Sequence, residues 1–391
     1  MDNQLIIIGN GFDLNAGLAS SYSNFFNFYF YEDSNHENHQ TDAKKGKNYW
    51  FSRFWRIHEE DKGWNKKAKW SDVEEVLLHD LTEIESKLTK IVPMSLSQFI
   101  FEEETTTMSG EISEGLRIRL YFERRTNKAF SNNFIETTEG KENLFRLLMV
   151  DLKKLEKEFT DYLILQMPGN SKYSINYSGN FERLFASLLL FEDTKAPEEK
   201  SDAVNLSDER KEYIKSNITK FGILSFNFTR PYFGWLELES RVESVHGNLR
   251  SKNIMFGIDG QDIKLDSLVA PFTKTYRKLA PDNRSQKSLH WNFSIDEDIN
   301  VIKIYGHGLS ESDYSYYQSI FDSIDLYHGK TEVIFFYNPA KEDVEQKERL
   351  VYQLIKKYGE SFDNQDHGRN LLHKLLLEGR LRLEALNIGM W

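Results

Sequence analysis

The chain has 391 residues, enough for two ordinary domains or for one large α/β domain carrying an insertion, and enough for a hydrophobic core of its own. Its 50 Lys and Arg against 61 Asp and Glu leave a formal charge of −11, which argues against a surface built throughout to neutralise nucleic-acid phosphates. There is no cysteine, and so no disulfide, thiolate metal centre or cysteine nucleophile.

Met1 to Gln4 lead straight into an apolar strand, without the basic and long apolar regions of an export signal. Leu5, Ile6, Ile7 and Ile8 are continuously apolar, the pattern of a parallel strand covered on both faces, and they end in Gly9-Asn10-Gly11. Residues 14–31 read as largely helical and 33–48 as a polar loop. From about 49 to 167 the signals are helical. Ser71, Asp72, Val73 and Glu74 make a capping-box-like start, with Val76, Leu77, Leu81, Ile84 and Leu88 following at helical spacing. The strongest helix is 141–167, where Leu144, Leu148, Leu152, Leu155 and Phe159 recur every three or four residues and Pro168-Gly169 stops the run.

Short apolar strands return at 221–226, 242–245, 254–258, 301–305 and 333–337, with helix-length segments at 311–324 and 341–358. Strand–helix alternation marks a parallel sheet. Residues 371–386 read as a closing helix, either core or a contact in a homo-oligomer. The simplest architecture is an α/β fold, an open parallel Rossmann-like sheet with a large helical insertion. Residues 1–30 supply the first strand and glycine turn, 31–170 the insertion, and 171–391 the remainder with C-terminal helices. No apolar run approaches the roughly 18–20 residues that cross a bilayer, so a soluble, cytoplasmic protein without a membrane partner is expected.

Four places can carry chemistry. The turn Gly9, Asn10, Gly11, Phe12, Asp13 opens a helix after a strand, where glycines admit a close ligand and backbone N–H groups favour a phosphate; a plain tight turn explains it equally well. Leu14 stands where the usual dinucleotide fingerprint needs its third glycine. Asn227, in Ser225-Phe226-Asn227-Phe228-Thr229, lies at a strand end, where open parallel sheets bind ligands; a turn asparagine is the alternative. His246, before Gly247, is either a general base or a hydrogen-bonded structural residue. The fourth is Tyr305 to Asp313, where Gly306, His307 and Gly308 turn into a helix with Ser310 and Asp313 spaced as a capping box. Two glycine turns meeting at one crevice would suit a ligand with two phosphates. His36 and His39 have no third ligand in register, so no metal site is expected.

Taken together these segments resemble the bacterial abortive-infection AbiH family of phage-defence proteins. Its members open with Gly-Asn-Gly-Phe-Asp-Leu and carry Phe-Asn-aromatic-Thr, Val-His-Gly and a late Tyr-Gly-His-x-Leu-x-x-x-Asp. Residues 70–74 (Trp-Ser-Asp-Val-Glu) also look like that family. More distantly the pattern is similar to the sirtuin-like fold, whose Gly-Ile-Pro is matched in offset by Gly17-Leu18-Ala19, whose ribose-positioning asparagine by Asn227 and whose catalytic histidine by His246. Ser20-Ser21-Tyr22 replace the sirtuin Asp-Phe-Arg, Thr229 stands in place of an aspartate, and the four zinc cysteines are absent, which disfavours deacetylation and leaves NAD cleavage open.

The resemblance implies an antiviral effector that takes NAD as substrate, needs no metal, and hydrolyses the nicotinamide–ribose bond. Backbone N–H groups of Gly9, Asn10, Gly11 and Phe12, aided by the turn of Gly306, His307, Gly308 and Ser310, would hold the pyrophosphate. Asn227 would orient ribose and water, and His246 would act as base. Asp13 and Asp313 are candidates for ribose hydroxyls or for helix caps. A phage-derived trigger is implied as a partner. Two other readings stand beside this one. The crevice could bind a nucleotide without turnover. Alternatively, residues 44–70, with nine Lys and Arg, three acids and four tryptophans, could bind nucleic acid by stacking and charge, against the plainer reading of a solvated helix with an aromatic core face.

Overall fold

The computed structural model describes residues 3–64, 73–90, 137–167, 177–198, 205–218, 220–229, 235–236, 241–279, 294–296 and 298–386. In chain order the first elements are β1 (Gln4–Ile8), α1 (Asn10–Ala16), α2 (Tyr22–Asn27), α3 (His36–Lys44), α4 (Tyr49–Trp64), α5 (Val73–Lys90) and α6 (Thr138–Gln166). Then come α7 (Tyr177–Leu189), α8 (Asp208–Asn217), β2 (Phe221–Ser225), β3 (Val242–Ser244) and α9 (Lys274–Leu279). The chain continues with β4 (Val301–Tyr305), α10 (Tyr314–Ser323), β5 (Glu332–Tyr337), α11 (Val344–Glu360), α12 (Gln365–Leu377) and β6 (Leu381–Ala385). Two compact units result: Met1–Ser20 with Thr160–Ile254 and Pro281–Trp391, and Ser21–Phe159 with Met255–Ala280. The division falls inside α6.

The first unit is built on one six-stranded sheet of order β3-β2-β1-β4-β5-β6, parallel at every pairing. The chain builds outward from β1 to β3, returns to the other side of β1, and builds outward again. Alternation along the strands explains why both faces are covered. Ile6, Ile8, Ile223, Tyr305, Ile334 and Phe336 face one way, packing with Phe12 of α1, Leu188 of α7 and Ile214 of α8. Leu5, Ile7, Leu224, Ile304, Val333 and Phe335 face the other, packing with Tyr317 of α10, Leu354 of α11 and Leu375 of α12. This is an open, doubly wound Rossmann-like α/β fold. Lys303 is a lone charge inside β4; its ammonium donates to the carbonyls of Leu188 and Leu189, at 2.8 and 3.2 Å, at the end of α7, where a cation also meets the negative end of the helix dipole.

The second unit is helical in its described part. Trp50 is fully buried and its indole N–H donates to the Leu148 carbonyl at 2.9 Å. The Tyr49 N–H and the Asn48 amide reach Asp151 at 2.8 and 3.0 Å. Arg277 forks onto buried Glu156 and the Phe256 carbonyl, and Lys274 meets Glu74 at 2.8 Å, so these two buried cations each have a counter-charge.

Three readings need correction. Residues 33–48 are not a loop throughout: α3 (His36–Lys44) occupies more than half of them, after a π-helical turn at Phe28–Glu32. Only Ala43 of α3 is buried, so the helix has no apolar stripe for a periodicity argument to detect. Residues 254–258 form no strand; Ile258 makes a single bridge to Thr273, and the Phe256 N–H is taken by the Glu156 carboxylate. Residues 371–386 are not one helix. α12 ends at Leu377, Gly379 turns with φ of 67°, and Leu381 begins β6. The capping box at Ser71 and the stop at Pro168 lie outside the described residues. Among the described residues no helix is long and apolar enough to cross a membrane.

Candidate functional site

In an open parallel sheet, ligands bind beyond the carboxyl ends of the strands, where the strand order reverses. Here that point lies between β1 and β4. The loops following β3, β2, β1 and β4, four neighbours in the sheet, carry the four singled-out segments, and all belong to the first unit.

The two glycine turns meet directly. The Gly9 N–H donates to the Tyr305 carbonyl at 3.0 Å, and the Gly11 N–H to the Gly306 carbonyl at 2.8 Å. Gly306 has φ of 69°, and a Cβ there would come within 2.7 Å of the Gly11 carbonyl carbon; only glycine allows this approach of two backbones. A Cβ on Gly9 would lie 2.5 Å from the His307 Cα. The Phe12 N–H turns back to the Gly9 carbonyl at 2.8 Å. Three of the N–H groups expected to cradle a phosphate therefore serve the backbone. Asn10 is exposed and its side chain accepts from the Ser20 hydroxyl at 2.5 Å. Gly308 is exposed, with no atom within 4 Å of where a Cβ would sit.

The side chains form a buried polar group. Asp313 accepts from two imidazoles: His246 Nε2 lies 3.1 Å from one oxygen and His307 Nε2 3.2 Å from the other. The Leu309 N–H donates to His307 Nδ1 at 2.9 Å. Nδ1 is thus the acceptor nitrogen, and the proton of a neutral His307 sits on Nε2, aimed at Asp313. Lys347, on the apolar face of α11 with Val351 and Leu354, donates to the His307 carbonyl at 2.8 Å; burial pushes its pKa down, against the pull of Glu342. Phe226 lies edge-on between the histidines, its centroid 5.5 Å from His246 and 4.4 Å from His307, and stacks on Tyr317. Tyr317 is fully buried with no partner for its hydroxyl, and its pKa is pushed well up by burial and then by the Asp313 charge.

Asn227 is 2% exposed, and neither the oxygen nor the nitrogen of its amide finds a protein partner. Its backbone N–H is held by the Ser225 hydroxyl at 3.2 Å, so the residue is fixed while its amide is unsatisfied, a state that buried polar groups rarely keep without a ligand or water. Across from β2, the Thr229 hydroxyl donates to the Asp13 carboxylate.

The expected residues therefore gather, with roles that differ in detail. Asp313 stands at the N-cap position of α10, but its side chain makes no capping bond and no capping box forms; Ser310 makes no capping bond either and instead pairs with the Ser312 hydroxyl at 2.7 Å. Asp313 serves the two histidines. Asp13 is held by Thr229 and is not the cap of α1, which is Gly9. Sequence reasoning missed Lys347 and Tyr317. A lysine four residues before Val351 on a buried stripe was the available signal for the first. Trp50 and Trp55 of the basic segment are buried core, and Arg53 pairs with Asp80 at 2.8 Å; Lys66, Lys67, Lys69 and Trp70 lie outside the described residues. Among the described residues no group of three or more acidic, His or Cys side chains is arranged to hold a metal ion.

A doubly wound α/β unit with buried His, Asp and Asn side chains at the carboxyl ends of neighbouring strands has polar groups where open parallel sheets bind ligands. The family model described as Bacteriophage abortive infection AbiH matches residues 5–337. The chain belongs to that family and so to phage abortive-infection defence. No curated protein and no solved structure matches the chain.

Proposed function

We propose that the carboxyl edge of β3, β2, β1 and β4 takes NAD, and that the chain acts in abortive infection by hydrolysing its nicotinamide–ribose bond. The observation that carries this is Asn227, a buried amide with both atoms unsatisfied, one residue from the Phe226 ring that touches His246 and His307. The similarity of this asparagine and of His246-Gly247 to the sirtuin-like segments supplies the substrate. Water adds to the anomeric carbon while the carbon–nitrogen bond breaks, through an oxocarbenium-like transition state. Nicotinamide leaves as the neutral base with the bonding pair. The water's proton passes to His246 Nδ1, the nitrogen not turned to Asp313, and Asp313 holds the resulting imidazolium through Nε2–H. General-base action of this kind contributes about 10²–10⁴ in rate. Asn227 hydrogen-bonds a ribose hydroxyl and the attacking water. We assign the pyrophosphate to the exposed turn at Gly308 and Ser310, because the N–H groups of Gly9, Gly11 and Phe12 are already engaged.

His246 is only 4% exposed, which supports an effector that is inert until a phage-derived trigger opens the edge. Purified chain is incubated with NAD, alone and with extract of phage-infected cells, and nicotinamide is followed by chromatography. Release is expected in the triggered arm and lost in His246→Ala. Wild type and His246→Ala equally inert under every infection tried would remove the enzymatic reading.

Binding without turnover is the second reading, favoured by Ser20-Ser21-Tyr22 standing where the similar enzymes carry an arginine. Calorimetry in the triggered state, with heat of binding and no nicotinamide released, selects it.

A further inference from the structure

The proposed reaction uses His246 and Asp313 and gives His307 no part, yet His307 is held at three places. Its Nδ1 accepts from the Leu309 N–H at 2.9 Å, its Nε2 lies 3.2 Å from Asp313 Oδ2, and its carbonyl accepts from the Lys347 ammonium at 2.8 Å. The backbone before it is set as well, since Gly306 has φ of 69° and its carbonyl accepts from the Gly11 N–H. The rings of Phe226 and Tyr317 close on the imidazole, with centroids 4.4 and 5.3 Å away. Both ring nitrogens are engaged inside the protein, so His307 is not placed to take a proton from water.

With Nδ1 as acceptor, a neutral His307 carries its proton on Nε2 and donates it to Asp313. Asp313 therefore divides one negative charge between two imidazoles, His307 on Oδ2 and His246 on Oδ1 at 3.1 Å. A donor on one oxygen stabilises the carboxylate and weakens its pull on a proton at the other. Ionisable side chains also face the group from two packed helices: Tyr316 and Tyr317 of α10, and Lys347 of α11, which meets Glu342 at 3.8 Å. Tyr317 stays neutral, because burial and then Asp313 push its pKa well up.

From two imidazoles on the two oxygens of one carboxylate, the second of them locked at Nδ1, we infer that His307 is a positioning residue. It holds Asp313 and so sets the proton affinity of His246. The role rests on His246 being the base of the reaction proposed above; a lowered affinity keeps that base unprotonated and ready at neutral pH.

Two variants separate this role from a structural one. In His307→Gln an amide N–H stands in for Nε2–H and still reaches Asp313. In His307→Asn the amide oxygen stands in for Nδ1, so the Leu309 contact is kept and the donor to Asp313 is lost. Full-length resting chain carrying isotope-labelled histidine is titrated without NAD and followed by NMR, with His246 assigned by its loss in His246→Ala. The His246 midpoint should match wild type in His307→Gln and rise by about 0.5–1 unit in His307→Asn, the scale of one hydrogen bond. Equal midpoints in all three proteins, a rise in His307→Gln alone, or a His246 that does not titrate overturns the inference. Wild type supplies a test that needs no variant: His307 should show the Nε2–H tautomer, and the Nδ1–H tautomer overturns the inference. In the triggered state the acid limb of the kcat profile should move up with the midpoint in His307→Asn. A moved midpoint without nicotinamide release upholds the hold of His307 on His246 and removes only the reaction; release with an unmoved midpoint removes only that hold.

Discussion

Asn227 and Asp313 show opposite ways of burying a polar side chain. Asp313 satisfies both oxygens with imidazole N–H groups, and one of those imidazoles is itself fixed by the Leu309 N–H. Asn227 satisfies nothing through its amide, and an unmade buried hydrogen bond costs about 1–3 kcal/mol. A residue kept at such a cost is one whose contribution lies outside stability. Asn227→Leu, close in volume, should therefore raise unfolding stability by about 1–2 kcal/mol, read as a higher urea midpoint, while nicotinamide release in the triggered state disappears. A lower midpoint would mean that the amide has a structural partner, and the site argument would lose its main support. The glycines make a related point. Gly9, Gly11 and Gly306 read in sequence as a ligand turn, yet what each visibly provides is passage for a neighbouring backbone. A glycine pattern records that something must come close without recording what.

Among the elements, the strand pattern was the most legible part of the chain. The apolar runs of β1, β2, β4 and β5, interrupted in β4 by Lys303, reflect burial on both faces, which constrains every position. β6 escaped because its outward residues are Arg382 and Glu384 and because Leu371 to Leu377 set up a helical period that carries on by chance past Gly379. Once formed, this edge strand is tied by charge: Arg382 forks onto Glu192 at 2.6 and 2.8 Å and meets Glu332 at 3.2 Å. The hydrogen bond to Arg382 holds the Glu192 pKa below the ordinary glutamate value. The folded value lies below the unfolded one, so this stabilisation is full above the ordinary glutamate range and fades as the pH falls through the lowered value. Glu192 is more than half exposed, so solvent screening limits the effect to about 0.5–1 kcal/mol. Glu192→Gln should lower the urea midpoint at pH 7 and match wild type once the pH is below the lowered value. A difference unchanged across that range would mean that charge pairing is not its cause.

Seen whole, the first unit has its candidate site at the carboxyl ends of β3, β2, β1 and β4. β1 and β4 have a strand on each side and helices on both faces, while β3 and β6 are edges. Amide exchange should accordingly be slowest in β1 and β4, at the global unfolding limit, and faster in β3 and β6. Equal protection across all six strands would contradict this order. The chain order alone, with a strand at 5–8 and the next at 221–225, already required a long excursion between them. The composition of 49–167 made that excursion helical. Residues 255–280, which join the helical unit, were not legible in this way, because their ties are scattered polar contacts to Glu156, Glu74 and Glu85 and ring contacts of Phe256 and Phe272, which leave no periodicity.

Sequence by itself determined what depends on local pattern: the parallel strands, the long helix through Leu148 and Leu155, the glycine turns, and the short motifs that mark the AbiH family. Only the tertiary structure decided which side chains meet. Asp13 lies 216 positions from Thr229 in the chain, and Asp313 lies 67 from His246. Pairings over such separations are set by the order of strands in the sheet, and that order arises from packing between segments that carry no local trace of one another.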